Sequence, residues 1–212
     1  MNNLRYIAIE GVIGAGKTRL AQILSTQLNA KLVLEKFDEN PFLERFYADQ
    51  KRYAFQTQLF FTLSRFKQQQ EISQIDLFQQ SVISDYIFDK DKIFAYLNLQ
   101  NDELALYETL ITSLEKKIQP PDLVVYLQSN VSRLMKNIQT RGRSFESQIS
   151  EKYISELSEA YNYYFFRYKA APLLVVNSSE IDFVNNRKDL KLLIDKITTP
   201  RRSPVEYFNP EK

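Results

Sequence analysis

The sequence contains no cysteine and no histidine. The first absence excludes disulfide scaffolds, cysteine-ligated zinc and thiol nucleophiles. The second excludes serine–histidine triads and histidine-based metal sites, so any general base must be a carboxylate, a lysine or a tyrosine. An excess of one charge is also lacking. The 28 lysines and arginines against 26 aspartates and glutamates leave a formal net charge of +2, too balanced to argue for a nucleic-acid polymer as partner. No apolar run reaches ~18 residues, and Met1-Asn2-Asn3-Leu4-Arg5 leads straight into a strand-like run, so neither a membrane span nor a signal peptide is visible. The expectation is a cytoplasmic protein with no membrane partner. Glycine is the scarcest informative residue: it occurs only 4 times, at positions 11, 14, 16 and 142. Three of these lie within six residues, and a chain so poor in glycine is not scattering it for loop flexibility. That cluster calls for a backbone reason.

What is present is ordinary for a folded domain. The chain has 212 residues, of which 44% are apolar and 25% charged, which predicts one domain with its own core. Arg5 to Glu10 reads as a buried strand ending in the glycine cluster, and Lys17 to Leu28 carries apolar residues at a helical period. Further strands are expected at 31–34, 81–84, 123–127 and 173–176. Helices are expected from Asn40-Pro41, where Asn caps and Pro opens, and over 53–71, 101–118, 130–140, 150–169 and 187–197. Strands written as apolar runs and alternating with helices predict a five-stranded parallel sheet covered on both faces, an α/β fold. Residues 1–197 would form the domain. The tail 198–212 holds three prolines and is expected to wrap the surface.

Gly11-Val-Ile-Gly14-Ala15-Gly16-Lys17-Thr18 fits the phosphate-loop pattern G-x-x-x-x-G-K-[ST], with a strand before it and a helix after it. In such a loop backbone N–H groups point at phosphate oxygens and the helix N-terminus adds partial positive charge. Lys17 would bridge the outer phosphates and Thr18 would hold Mg²⁺. The alternative is a plain glycine turn between strand and helix. A dinucleotide fingerprint fails because Arg19 stands where a third glycine should be, and no Asn-Lys-x-Asp run exists to read guanine. Kinases, ATPases and regulators all remain compatible with the loop alone.

Three further features converge on that loop. Glu35 follows the second strand and Asp85 the third, and ligands collect beyond the carboxyl ends of parallel strands. One carboxylate can accept a proton from an attacking hydroxyl and another can hold Mg²⁺; either alone would more often be a solvated strand-end charge, and it is their joint placement with the loop that favours the functional reading. Gln58, Thr62 and Arg65 form one narrow polar stripe on a helix otherwise rich in phenylalanine, a lining suited to a planar heterocycle or, more simply, a solvated face over core aromatics. Arg141-Gly142-Arg143-Ser144-Phe145-Glu146 ends a helix. It is either a glycine C-cap flanked by charges or an arginine-bearing lid, spanning about 141–149, that closes over a transferring phosphate and excludes water.

Together these pieces resemble the deoxynucleoside kinase family, and most closely its bacterial purine-preferring branch; the resemblance runs from the first strand to about Phe183. It implies the P-loop nucleoside/nucleotide kinase fold, ATP and Mg²⁺ as cofactors, a deoxynucleoside as substrate and a homodimer. It implies that Glu35 deprotonates the nucleoside 5′-hydroxyl while Lys17, Arg141 and Arg143 stabilise charge. Gly11, Gly14, Ala15, Gly16, Lys17 and Thr18 would hold the donor phosphates, Asp182 and Phe183 would contact the donor base, and Thr18 and Asp85 would hold the metal. Tyr47 and Glu146 match the pair that holds the sugar 3′-hydroxyl, Gln58 the glutamine at the base edge, and Arg65 with Asp91 the pair that reads base substituents. Two positions depart from the family pattern. Tyr86 stands where an arginine usually follows Asp85, leaving Tyr86, Lys90 or Lys92 as substitutes, and Asn137 stands where an arginine is common one turn before Arg141. A thymidylate-type monophosphate kinase and a catalytically silent nucleotide-binding subunit are the competing readings.

Overall fold

A computed structural model of the chain describes residues 4–76 and 81–210. Six parallel strands form one sheet in the order β2-β3-β1-β4-β5-β6. They are β1 (Tyr6–Gly11), β2 (Lys31–Val33), β3 (Val82–Ser84), β4 (Leu123–Gln128), β5 (Leu173–Asn177) and β6 (Val205–Phe208). All six residues of β1 are buried. Successive side chains of a strand point to opposite faces, so β1 is covered on both. Its register, with Ile7 opposite Ile83 on one side and Leu123 on the other, makes it the centre of the core.

The helices are α1 (Lys17–Gln27), α2 (Leu43–Ala48), α3 (Gln50–Asp76), α4 (Lys90–Asn98), α5 (Asn101–Glu115), α6 (Val131–Arg141), α7 (Glu151–Phe166) and α8 (Arg187–Thr198). Several starts follow from local chemistry. The Asn130 side chain accepts the Arg133 N–H at the head of α6, and Ser150 accepts the Tyr153 N–H at the head of α7. Gly142, at φ 65°, ends α6 in the left-handed conformation. Asn40 does not open a helix directly. Its side chain accepts the Phe42 N–H at 3.0 Å and donates to the Thr57 carbonyl at 3.1 Å, pinning the turn before α2 onto α3.

Two elements differ from the sequence expectation. The sheet has six strands, not five, because Val205–Phe208 in the proline-containing tail pairs parallel with β5, Leu173 opposite Val205 and Val176 opposite Phe208. The flanking prolines and the short run hide this edge strand from periodicity. The final two residues of the expected tail, Glu211 and Lys212, lie outside the described residues. Helix α4 was not expected at all. Its first turn is charged, yet Lys90 and Asp91 are buried there, a combination no apolar periodicity reveals.

The chain leaves β1 toward β3 and β2 and later returns to its other side as β4. The loop after β1 therefore stands at the switch point of the sheet, where parallel folds open their binding crevice.

Candidate active site

Residues Gly11 to Thr18 wrap the head of α1. Gly14 has φ 86° and Gly16 φ 92°, a region that side chains with a Cβ avoid. Space excludes a Cβ as well: at Gly14 it would lie 2.6 Å from the Leu134 carbonyl oxygen, and at Gly16 2.9 Å from the Phe183 ring. The loop is thus wedged between α6 and the segment after β5. Asn137 on α6 donates to the Gly14 carbonyl at 2.8 Å, so the residue that stands where an arginine was expected anchors the loop. The Lys17 ammonium donates to the Gly11 and Val12 carbonyls at 2.8 and 3.1 Å. Burial and then the nearby Lys90 charge bring its pKa down to about 8, against the opposing pull of Glu10, Glu35 and Asp85.

Asp85, just beyond β3, joins two site elements. One carboxylate oxygen accepts the Thr18 hydroxyl at 2.5 Å and the other accepts the Glu35 backbone N–H at 2.8 Å. A hydroxyl and a carboxylate meeting at the head of the phosphate loop are hard oxygen donors of the kind Mg²⁺ takes, with phosphates and waters completing its shell. Among the described residues no cluster of three acidic side chains could hold a metal alone.

Glu35 follows β2 and faces two cations. One oxygen accepts from Arg65 Nε at 2.9 Å and Nη2 at 2.7 Å, and the other accepts from the Lys90 ammonium at 2.5 Å. Burial pushes the carboxyl up, but the Lys90 and Arg65 charges and their hydrogen bonds outweigh it and hold the pKa at about 2. Glu35 is therefore ionised at neutral pH. Arg65 also pairs with Asp91 through Nη1. Asp91 is fully buried behind it, further bonded to Thr62 and the Tyr107 hydroxyl. The stripe of Gln58, Thr62 and Arg65 is thus an internal polar network and not a solvated face; Gln58 donates to the Asp91 carbonyl at 2.9 Å. Of the three possible substitutes for the missing arginine, only Lys90 reaches this site. Tyr86 is fully buried and its hydroxyl finds no partner among the described residues, while Lys92 turns to Asp89 and Glu115.

A cavity of about 100 Å³ lies above these groups. Glu35, Tyr47, Gln58, Arg65 and Glu146 line it, together with Lys17, Thr18, Asp85, Lys90 and both lid arginines. Asp91 does not line it and acts on it through Arg65. Apolar walls come from Phe37, Phe46, Phe61, Phe94 and Phe145. Arg141, Arg143, Phe145 and Glu146, from the segment expected to form a lid, also line it. Phe145 stacks on Tyr47 with centroids 6.3 Å apart and planes at 12°. Glu146, itself buried, accepts from Arg141 at 2.7 Å and Arg143 at 3.4 Å.

A second, wider cleft runs along the other side of the phosphate loop, and Arg141, Arg143, Asn137, Asp182 and Phe183 line it. Lys17, Thr18 and the two arginines belong to both spaces. The Asp182 carboxylate accepts the Val184 and Asn185 N–H groups and so shapes its own turn. Phe183 packs over Gly16. A phosphate donor in the wide cleft and an acceptor in the aromatic cavity would meet where Lys17, Glu35 and the lid arginines converge.

Sequence reasoning missed two contributors. Glu10 is fully buried beneath the loop and accepts the Gly11 and Ile87 N–H groups at 2.9 and 3.0 Å; the signal was an acid inside an otherwise apolar strand. Arg133 donates to the Ser179 and Ile181 carbonyls, each at 2.7 Å, and holds the segment that carries Asp182 and Phe183. Nothing in its local sequence marked it.

The family model described as deoxynucleoside kinase matches residues 7–200. The deoxyguanosine kinase of Bacillus subtilis (strain 168) is 34% identical over 196 residues, covering 90% of this chain and 95% of that protein. The deoxyadenosine/deoxycytidine kinase of the same organism is 28% identical over 201 residues, covering 91% of each. Among solved structures, deoxyadenosine kinase from M. mycoides with bound dATP superposes with a TM-score of 0.81 at 26% identity, covering 92% of this chain and 100% of that one.

Proposed function

This chain belongs to the deoxynucleoside kinase family, and on that premise we propose that it transfers the γ-phosphoryl group of ATP to the 5′-hydroxyl of a purine deoxynucleoside. The observation that carries the reading is the position of Glu35. It is an ionised carboxylate at the floor of an aromatic cavity, tied through Asp85 to the first turn of the phosphate-loop helix.

The roles follow from placement. Glu35 takes the 5′-hydroxyl proton. Phosphoryl transfer has a loose transition state, so a carboxylate this acidic accepts the proton late, once the oxygen is bonding to phosphorus and its proton has become acidic. Lys17, Arg141 and Arg143 face the space shared by the two clefts and neutralise the charge in transit. Gly11, Gly14, Ala15 and Gly16 present the loop to the donor phosphates, and Phe183 with the Asp182 turn forms the wall for the donor base. Thr18 and Asp85 would hold Mg²⁺, which would supply charge neutralisation on the donor phosphates. Tyr47 and Glu146 stand together at the rim for the sugar 3′-hydroxyl. Gln58 and Arg65 offer hydrogen bonds to the base edge, with Asp91 fixing Arg65 from behind. Preference for a purine is supported by the names of the relatives, deoxyguanosine and deoxyadenosine kinases among them. The family resemblance also supports a homodimer, which light scattering on the purified chain tests.

The deciding experiment is a coupled assay with deoxyadenosine, deoxyguanosine, deoxycytidine and thymidine, alongside dAMP and dTMP. The reading expects the highest kcat/KM with a purine deoxynucleoside and negligible turnover of the monophosphates. A pyrimidine or a monophosphate as best acceptor overturns it.

A further inference from the structure

Lys90 begins α4 and is only 5% exposed. It shares the wall of the aromatic cavity with Lys17, Glu35 and Asp85. Its ammonium lies over the Phe94 ring, with Nζ 5.8 Å from the centroid, and sits 2.5 Å from one Glu35 oxygen. Taking an ammonium this far out of water is costly unless it is paired, so its presence asks for a task.

Holding Glu35 in place does not require it. Arg65 already grips the other Glu35 oxygen with two N–H groups, at 2.9 and 2.7 Å, and is itself braced by Asp91. Lys90 also stands close enough to Lys17 for the two charges to oppose each other. Two ammonium groups facing one pocket, Lys90 buried and Lys17 half-buried, repel, and an anion between them relieves that repulsion. The groups around them are Glu10 and Lys17 from the first strand and its loop, Glu35 after β2, Arg65 from α3 and Asp85 after β3. Glu35 engages Lys90 on one side only.

We propose that Lys90 is a catalytic residue that contacts the phosphoryl group in transit, from the acceptor side, while Lys17 holds it from the donor side. The step balances simply. The 5′-oxygen forms its bond to the γ-phosphorus as the bond to the β,γ-bridging oxygen breaks, and ADP leaves with that electron pair. The hydroxyl proton goes to the Glu35 oxygen that Lys90 vacates. Lys90 keeps its proton throughout and moves from a carboxylate oxygen to a phosphoryl oxygen.

The inference rests on the kinase reading above, so wild-type turnover of deoxyguanosine and deoxyadenosine is measured first; its absence defeats that reading, whereas the outcomes below separate out Lys90 alone. Lys90→Gln is expected to lower kcat by ~10²-fold or more with the KM for ATP changed less than about threefold, and Lys90→Arg is expected to recover at least about tenfold of that loss. Affinity for ADP with aluminium fluoride and deoxyguanosine, a mimic of the transferring group, should fall in Lys90→Gln by a similar factor while affinity for ADP alone stays within about threefold. Equal losses for both complexes, or kcat within about threefold of wild type, overturn the proposal. Should Lys90→Gln fail to fold, a crystal structure of the wild-type protein with the same mimic decides. Lys90 Nζ within ~3.2 Å of a fluoride supports the contact, and Lys90 remaining on Glu35 alone overturns it.

Discussion

Thr18 and Asp85, 67 residues apart in the chain, meet at 2.5 Å, and the remaining oxygen of Asp85 holds the Glu35 N–H at 2.8 Å. A single carboxylate thus sets the spacing between the phosphate loop and the proposed base. Rotating that side chain away would loosen donor and acceptor sites at once, and in phosphoryl transfer positioning is most of what the protein contributes.

Asp85→Asn keeps the shape and removes the charge. The Mg²⁺ concentration that gives half-maximal activity is expected to rise by roughly 10-fold or more, the range seen when metal-site partners are changed, and kcat to fall with it. A magnesium titration of initial rates measures this. An unchanged titration midpoint removes Asp85 from the metal site.

Glu35→Gln preserves an acceptor for Arg65 but no longer takes a proton. The expected loss in kcat is ~10²–10⁴-fold, the usual span for a positioned general base, with ATP affinity by calorimetry close to wild type. Turnover within a few-fold of wild type contradicts the assignment.

Gly14→Ala and Gly142→Ala test the loop by rank. Both positions have positive φ, 86° and 65°. At Gly14 the added Cβ meets the Leu134 carbonyl at 2.6 Å, whereas at Gly142 the nearest atom is 3.9 Å away. Gly142→Ala should cost only the backbone penalty, about 1–2 kcal/mol. Gly14→Ala should cost more and should also abolish ATP binding, because the loop can relieve the clash only by leaving α6. Thermal melts with and without Mg-ATP report both effects, and equal costs would refute the close approach.

The sixth strand makes its own prediction about pH. Glu206 accepts the Lys196 ammonium at 2.6 Å and the Arg202 N–H at 2.8 Å, and these two hydrogen bonds, the Lys196 bond first, hold its pKa at about 2. A carboxyl with a depressed folded pKa stabilises the fold above its unfolded value of ~4.3 and loses that contribution as pH falls toward the folded one. Wild type should therefore melt above Glu206→Gln at pH 7, and the gap should close between about pH 4.3 and 2. A gap independent of pH would remove the ion pair from the account. Truncation before Val205 should lower the melting temperature further, because it uncovers the edge of β5; a tail lying loosely on the surface would leave it unchanged.

How much of this could be read along the chain depends on what holds each part together. The phosphate loop is contiguous, its glycines answer a local steric demand, and two of the five expected strands, 123–127 and 173–176, are pure apolar runs, while the other three keep an apolar centre with polar residues only at their ends. Those features determined the fold class and marked the loop between β1 and α1 from local sequence alone. Helix α4, the burial of Lys90 and Asp91, and the grip of Lys90 and Arg65 on Glu35 belong to the tertiary structure. A charged residue is normally a surface signal. It becomes an interior one only when a partner from a distant segment, here 26 to 55 residues away, arrives to neutralise it, and local periodicity carries no record of that partner. The same holds for β6, which is a strand only because the edge of β5 is there to pair with it.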